Sequence, residues 1–140
     1  MNKFKILTIA ALLGIFAKTA FSQDTQQVRT QQYLDKAIKA YEYSLDFRVP
    51  EVVESAIYNV LVLKKYYPNN DFDELKDLIS DLAVDGKTAT LRYKAQLASL
   101  YFEYPSMFEN IEFEKTTENP DRYFRMISNK LVEDNTLALN

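Results

Sequence analysis

Apolar residues recur three and four positions apart along most of the chain, which is the spacing of an amphipathic α-helix. The first apolar stripe predicts a helix from about Thr25 to Leu45. Pro50 lies at the first position of a second helix, where proline is well tolerated, and this helix is expected to reach about Tyr67. The apolar face of the second helix is broad, so we expect it to be flanked on two sides and to be central.

The third and fourth helices are predicted from residues that favour helix ends. Asp71, followed by Glu74 three residues later, resembles a capping box before the third helix, and Gly86 is expected to end that helix in the left-handed conformation. Thr88 is the expected N-cap of the fourth helix, which should end at Tyr104–Pro105 because proline disfavours a helical residue before it.

The remainder of the chain gives a weaker pattern followed by one last helix. Residues 106–118 contain few apolar positions in a short run and read mainly as a loop. Asn119 and Pro120 provide a cap and a first-position proline for a final helix, which is expected to fray from Glu133 onward. The side chains predicted to be buried in the second, fourth and last helices are Val53, Ala56, Ile57, Val60, Leu61, Leu63, Leu91, Ala95, Leu97, Ala98, Tyr101, Phe102, Tyr123, Phe124, Ile127 and Leu131.

The chain also shows a weak internal repeat. A shift of 36 residues places segment 55–62 against segment 91–98, and both helices end in a Tyr-Pro pair. A period of about this length with two helices per unit is typical of stacked helical repeats. Asp85–Ala98 resembles the second helix of a HEAT-type repeat, and Val52–Ile57 is similar, although Glu54 stands where that family often has a basic residue.

This resemblance covers about Leu45 to Pro105 and implies a fold and a kind of function. The implied fold is all-α, a short HEAT-like array of antiparallel helical hairpins with about five helices. The implied activity is protein binding and not catalysis. The chain also resembles small exported all-α proteins of Bacteroidota, a resemblance that implies no particular activity.

The first 22 residues have the pattern of a signal peptide. A basic start at Lys3 and Lys5 precedes an unbroken apolar run of 12 residues over 6–17, and Ala20-Phe21-Ser22 offers small residues for cleavage before Gln23. The run spans about 18 Å as a helix, well short of the roughly 30 Å hydrocarbon core. We therefore expect no stable membrane anchor after cleavage, a periplasmic or secreted location, and one domain over residues 23–140 with its core at about 25–133.

Composition excludes several classes of function. The formal charge is −3 for the full chain and −6 once the three lysines of the leader are removed, which argues against binding to nucleic acid. The chain has no cysteine, which excludes a lipoprotein and a disulfide framework. It has no histidine, so the usual general base, zinc ligand and triad member are missing.

Two sets of polar residues are candidate chemical sites. Residues 69–74 resemble the start of a calcium loop, but the glycine at the turn is missing and Ser80 stands where a bidentate glutamate is needed, so helix capping is favoured and no metal or other cofactor is expected. Ser55 or Ser99 with a nearby lysine is the dyad chemistry that remains without histidine. Because both serines lie within predicted helices, an enzyme that uses Ser and Lys or paired carboxylates is the least favoured class.

Aromatic residues are more numerous than one helical stripe can bury. They either fill the core or form a partner-binding surface, and the sequence leaves both open. We therefore predict a non-catalytic module that binds another envelope protein through an aromatic and acidic surface. The alternative is a carrier that holds an apolar small molecule between the second and fourth helices. The candidate partner-binding residues are Tyr58, Tyr66, Tyr67, Tyr101, Tyr104 and Phe108.

Overall fold

A computed structural model describes residues 25–115 and 117–138 of the chain. These residues form five α-helices and one short 3₁₀ helix, and they contain no β-strand, so the all-α prediction is confirmed. The predicted leader and its cleavage before Gln23 lie outside the described residues. The helices are α1 (25–45), α2 (Pro50–Tyr66), α3 (Asp73–Asp85), α4 (Ala89–Glu103), the 3₁₀ helix (Pro105–Phe108) and α5 (Asp121–Ala138).

The chain divides into two compact units, Met1–Ala37 and Ile38–Asn140. In the described part of the first unit, the Thr30 hydroxyl donates to the Gln26 carbonyl within the helix. The second unit contains all of α2 to α5. The prediction of one domain over 23–140 remains a prediction, because part of that range lies outside the described residues.

Two of the predicted helix ends are confirmed and two are corrected. Pro50 lies in the first turn of α2, and the Thr88 side chain accepts a hydrogen bond from the Leu91 amide, so it caps α4 as expected. Asp71 does not cap α3: the cap residue is Phe72, and the Asp71 carboxylate accepts from the Asp73 amide in the turn before the helix.

Gly86 ends α3 but is not left-handed, since its φ is −57°. A left-handed backbone is therefore not the reason why this position needs glycine. A Cβ atom at this position would lie 2.5 Å from the Leu82 carbonyl oxygen and close to Leu91. The glycine is therefore required by a close approach of backbone and not by a positive φ.

The helices α2 and α4 run parallel to each other. Near their starts, the Lys94 ammonium lies 2.6 Å from the Glu54 carboxylate. Near their ends, the Lys64 ammonium lies 5.9 Å from the centroid of the Phe102 ring. Contacts of α4 with α2, α3, the 3₁₀ helix and α5 place it among four other elements.

The buried set agrees with the predicted one at most positions. All six predicted residues of α2 are buried, together with Tyr58 and Val62. Phe102 in α4 and Leu131 in α5 are only partly buried, whereas the other predicted positions of those helices are buried. α5 continues past Glu133 to Ala138, and the fraying expected from Glu133 onward stays a prediction.

Candidate interaction surfaces

Five aromatic rings form one buried cluster where α2, α4 and α5 meet the chain after the 3₁₀ helix. Their centroids lie between 5.3 and 6.1 Å apart in five pairs, three tilted or edge-on and two stacked. Each ring is at most 4% exposed, so the cluster is core and a partner cannot contact these side chains on the folded surface. The cluster consists of Tyr58, Tyr101, Phe108, Phe113 and Tyr123, and includes three of the six candidate partner-binding residues.

Tyrosine hydroxyls in and beside this cluster hold residues 109–115, which we call the connecting segment. The Tyr58 hydroxyl donates to the Glu114 carbonyl at 2.6 Å, and the Tyr66 hydroxyl donates to the Phe113 carbonyl at 3.0 Å. The Glu114 amide in turn donates to the Tyr123 hydroxyl at 3.3 Å. The connecting segment is thus attached to α2 and α5 by side chains, although it has no regular secondary structure.

Burial changes the acidity of two of these tyrosines. It raises the pKa of Tyr58, with further increases from the neighbouring Tyr123 and Glu114. Burial also raises the pKa of Tyr101 to about 12, with a smaller contribution from Glu112. Both phenols are therefore neutral at physiological pH; the Tyr58 hydroxyl donates a hydrogen bond, and both rings pack in the core.

Three candidates remain accessible at the C-terminal ends of α2 and α4. Tyr66 is 45% exposed, Tyr104 is 52% exposed, and Tyr67 is partly exposed. Tyr67 and Tyr104 cap their helices with nearly the same backbone geometry, with φ of −131° and −125° and ψ of 57° and 58°. Each donates its amide to the carbonyl four residues earlier at 2.9 Å, and each precedes a proline.

Because α2 and α4 are parallel, these two Tyr-Pro ends lie at the same end of the second unit. Exposed carboxylates accompany them on the last turn of α4 and on the connecting segment. We call this region the Tyr-Pro surface and define it as Tyr66, Tyr67, Glu103, Tyr104, Glu109 and Glu112. It combines exposed and partly exposed tyrosine rings with exposed carboxylates.

Cations of the chain itself already lie on part of this surface. The Lys65 ammonium is 3.5 Å from the Glu112 carboxylate and donates to the Glu109 carbonyl at 2.6 Å. The Lys115 ammonium lies 4.7 Å from the centroid of the Tyr66 ring. Among the described residues, no cation lies over the ring of Tyr104.

A second exposed apolar region was missed by the sequence reasoning. It lies where α1 turns into α2, and we call it the α1–α2 corner: Tyr43, Phe47, Val49 and Val52. Tyr43 is 71% exposed and its ring contacts that of Phe47 at 5.9 Å between centroids. Two features of the sequence could have indicated this exposed region. Tyr43 lies outside the apolar stripe of α1, and Phe47 and Val49 follow in the short turn before Pro50.

Two open grooves flank this corner. One, of about 390 Å³, lies between the α1–α2 turn and the α3–α4 turn, where the Lys87 ammonium donates to the Arg48 carbonyl at 2.9 Å. Its base includes Leu45, Val53 and Leu91, and its rim includes charged side chains. The other, of about 440 Å³, lies between α1 and α2, and Ser44, Val52 and Ser55 are among the residues that line it.

Lys94 forms the best-enclosed ion pair of the described residues. Its ammonium lies 2.6 Å from carboxylate oxygens of both Glu54 and Asp121 and 5.5 Å from the centroid of the Phe124 ring. Burial lowers the pKa of Lys94, but the hydrogen bonds and charges of the two carboxylates outweigh it and raise the pKa overall. This lysine therefore stays charged and links α2, α4 and α5.

Two carboxyl groups, Glu42 on α1 and Glu74 on α3, lie next to each other. Partial burial raises the pKa of Glu42, and so does its hydrogen bond with the carboxyl group of Glu74, while the nearby Lys39 lowers it. Nothing in the local sequence predicted this pair, because its members are 32 positions apart along the chain.

Ser99 is buried, and its hydroxyl lies 3.4 Å from that of Ser80. Over residues 25–115 and 117–138, no group of three or more acidic side chains is arranged to hold a metal ion. In the same ranges, no helix is long and apolar enough to cross a bilayer.

Comparison of the chain with protein-family models, with curated proteins and with solved structures finds no match.

Proposed function

We propose that this protein is a non-catalytic interaction module of the periplasm that binds another envelope protein through the Tyr-Pro surface. One observation carries the proposal: two helix ends of the same geometry lie at one end of the second unit and expose tyrosine beside carboxylates. Tyrosine supplies a large contact area with few rotatable bonds and is common among the residues that dominate binding energy. The periplasmic location in this proposal rests on the export predicted from the leader.

The arrangement of α2 and α4 supports a short HEAT-like array as the scaffold. In stacked helical repeats, equivalent helices of neighbouring units run parallel and present equivalent residues on one side. The parallel direction of α2 and α4, together with the matching backbone at Tyr67 and Tyr104, is what such an array requires. We propose that the 36-residue spacing reflects two such units.

A carrier of an apolar molecule has less support. A carrier would hold its ligand in an enclosed, mostly apolar cavity. The groove of about 390 Å³ has an apolar base, but it is open to solvent and Asp46, Arg48, Asp85 and Lys87 contribute to its lining. Native mass spectrometry of the purified protein, which detects a retained apolar molecule, distinguishes the carrier from the interaction module.

The proposed function is tested by site-specific photo-crosslinking in cells that export the protein. A photoreactive phenylalanine analogue replaces Tyr104 on the Tyr-Pro surface, Tyr43 at the α1–α2 corner, or Tyr93 elsewhere on α4. Tyr93 is the matched control because it is 52% exposed, as Tyr104 is. We expect a discrete crosslinked protein from position 104 and none from position 93.

Other outcomes of this experiment count against the proposal. A product from position 43 but not from 104 moves the interaction to the α1–α2 corner and overturns the Tyr-Pro surface. Equal labelling at positions 104 and 93, or no product at any of the three positions, contradicts an interaction module.

A further inference from the structure

The connecting segment is attached to the helices by side chains. Among the described residues, its one backbone–backbone hydrogen bond runs from the Ile111 amide to the Phe108 carbonyl. The groups that bind its carbonyls are the hydroxyls of Tyr58 and Tyr66 and the ammonium of Lys65. The segment can therefore be released without the loss of any backbone hydrogen bond within α2 or α4.

Phe113 joins this segment to three helices at once. Its ring centroid lies 6.1 Å from that of Tyr58 on α2, 5.5 Å from that of Tyr101 on α4 and 5.4 Å from that of Tyr123 on α5. The Glu114 amide also donates to the Tyr123 hydroxyl. Because the segment contacts both the ring and the hydroxyl of Tyr123, its displacement removes part of what covers α5, and we expect the segment and α5 to leave together.

Burial differs between α5 and the two helices that it covers. Eight of the 17 residues of α2 and six of the 15 residues of α4 are buried. The described part of α5 has three buried side chains, all in its first two turns: Tyr123, Phe124 and Ile127. Elements with few buried apolar side chains open locally at a lower free energy than the centre of the core.

The ion pair at the start of α5 does not hold α2 and α4 together by itself. The Lys94 ammonium lies 2.6 Å from both the Glu54 carboxylate of α2 and the Asp121 carboxylate of α5. The Asp121 side chain is 58% exposed, so its carboxylate is already in contact with water. When α5 departs, Lys94 keeps Glu54 as its partner, and the link between α2 and α4 is preserved.

We infer that the connecting segment and α5 form one strap, which opens as a unit while α2 and α4 stay folded. Opening removes the rings of Phe113 and Tyr123 from those of Tyr58 and Tyr101. It thereby uncovers an aromatic face on α2 and α4 that is buried in the closed structure. This conformational device does not depend on whether the Tyr-Pro surface binds a partner.

Native-state hydrogen exchange of the full chain at a series of low urea concentrations tests the strap. After correction for intrinsic rates, amides of residues 123–128 on α5 should exchange at least about tenfold faster than those of residues 57–61 on α2 and 95–98 on α4. Their exchange should also depend less steeply on urea, because opening the strap exposes less surface than complete unfolding. Equal protection and equal urea dependence in the three helices would mean one cooperative unit and overturn the inference.

Two variants separate opening of the strap from unfolding of the remainder. Tyr58→Phe removes the hydroxyl that binds the Glu114 carbonyl and should accelerate exchange in α5 about 5- to 30-fold. Gly86→Ala places a Cβ against the Leu82 carbonyl oxygen and the Leu91 side chain, away from the strap. Because this strain is present in the closed and the open form alike, it should accelerate exchange in α2 and α4 and change that in α5 less than about twofold.

The variants can overturn the inference in two ways. Equal acceleration of α5, α2 and α4 by Gly86→Ala means that the helices open together. Unchanged exchange of α5 in Tyr58→Phe means that α5 opens without the connecting segment. If Gly86→Ala prevents folding, the urea dependence of exchange in the unaltered protein decides between one unit and two.

Discussion

The Tyr58 hydroxyl offers the sharpest test of how the connecting segment is held. Tyr58→Phe removes one oxygen and keeps the ring, so the ring contacts at 5.3 and 6.1 Å to Tyr123 and Phe113 are preserved. The loss is the 2.6 Å hydrogen bond to the Glu114 carbonyl, in a site where Tyr58 is 3% exposed. The enclosed Tyr58 side chain leaves little room for water in place of its hydroxyl, although the acceptor carbonyl belongs to the exposed residue Glu114.

The expected cost follows from that geometry. Loss of this part-buried hydrogen bond, whose donor side chain is enclosed, lowers the free energy of unfolding by about 1–2 kcal/mol. For a domain of this size, such a change lowers the Tm by about 4–10 °C. Urea unfolding followed by circular dichroism gives the free energy, and calorimetry gives the Tm.

Tyr66→Phe is the matched control for this prediction. Its hydroxyl also donates to a carbonyl of the connecting segment, that of Phe113 at 3.0 Å, but the side chain is 45% exposed. Water can take over that bond, so the change should cost less than about 0.5 kcal/mol. Equal effects of the two substitutions, or a larger effect of Tyr66→Phe, would refute the reasoning from burial.

Four further predictions concern other parts of the second unit. Gly86→Ala should lower the free energy of unfolding by about 1–3 kcal/mol, because the new Cβ would lie 2.5 Å from a backbone carbonyl oxygen; an unchanged urea midpoint would contradict this. Stability should fall as pH rises from about 10 toward 12, because the pKa of Tyr101 is about 12 in the folded protein and about 10 in the unfolded chain. In that range the unfolded chain loses the phenol proton first, and this favours unfolding. Urea midpoints measured against pH check this, and the fall should be smaller in Tyr101→Phe. Asp81→Lys should raise the free energy of unfolding by about 0.5–1 kcal/mol at low salt, because aspartates stand four residues before and after it, and a gain that persists in 1 M salt would argue against charge as the cause. Lys94→Met should lower it by about 1–3 kcal/mol by leaving two carboxylates without their shared cation, and thermal unfolding checks this.

Features that depend on neighbouring residues in the chain were predictable. Pro50 and Thr88 were located correctly at helix starts because proline geometry and a threonine cap act within one turn. The buried face of α2 was predicted in full because helical periodicity alone decides which side chains share a face. Asp71 was misassigned because its carboxylate bonds to the Asp73 amide within a turn, an alternative that competes with capping over the same few residues.

Features that depend on distant residues were not predictable. The sequence left open whether Tyr58, Tyr101 and Phe108 belong to the core, since their burial depends on a connecting segment with no regular pattern. The exposure of Tyr43 at the α1–α2 corner depends on which faces the other helices cover. The two Tyr-Pro pairs can be read from the sequence. Their placement at one end of the second unit cannot, because it depends on the direction of α2 relative to α4.

The bonds that hold the connecting segment also determine when it can take its place during folding. The Tyr58 hydroxyl and the Glu114 carbonyl are 56 positions apart along the chain, and the Tyr66 and Phe113 pair is 47 apart. Closing loops of that length costs conformational entropy before the contact is gained, so these contacts form after the helices that supply them. Tyr58→Phe should accordingly accelerate unfolding and leave the refolding rate nearly unchanged, which makes this hydroxyl a determinant of the lifetime of the native state.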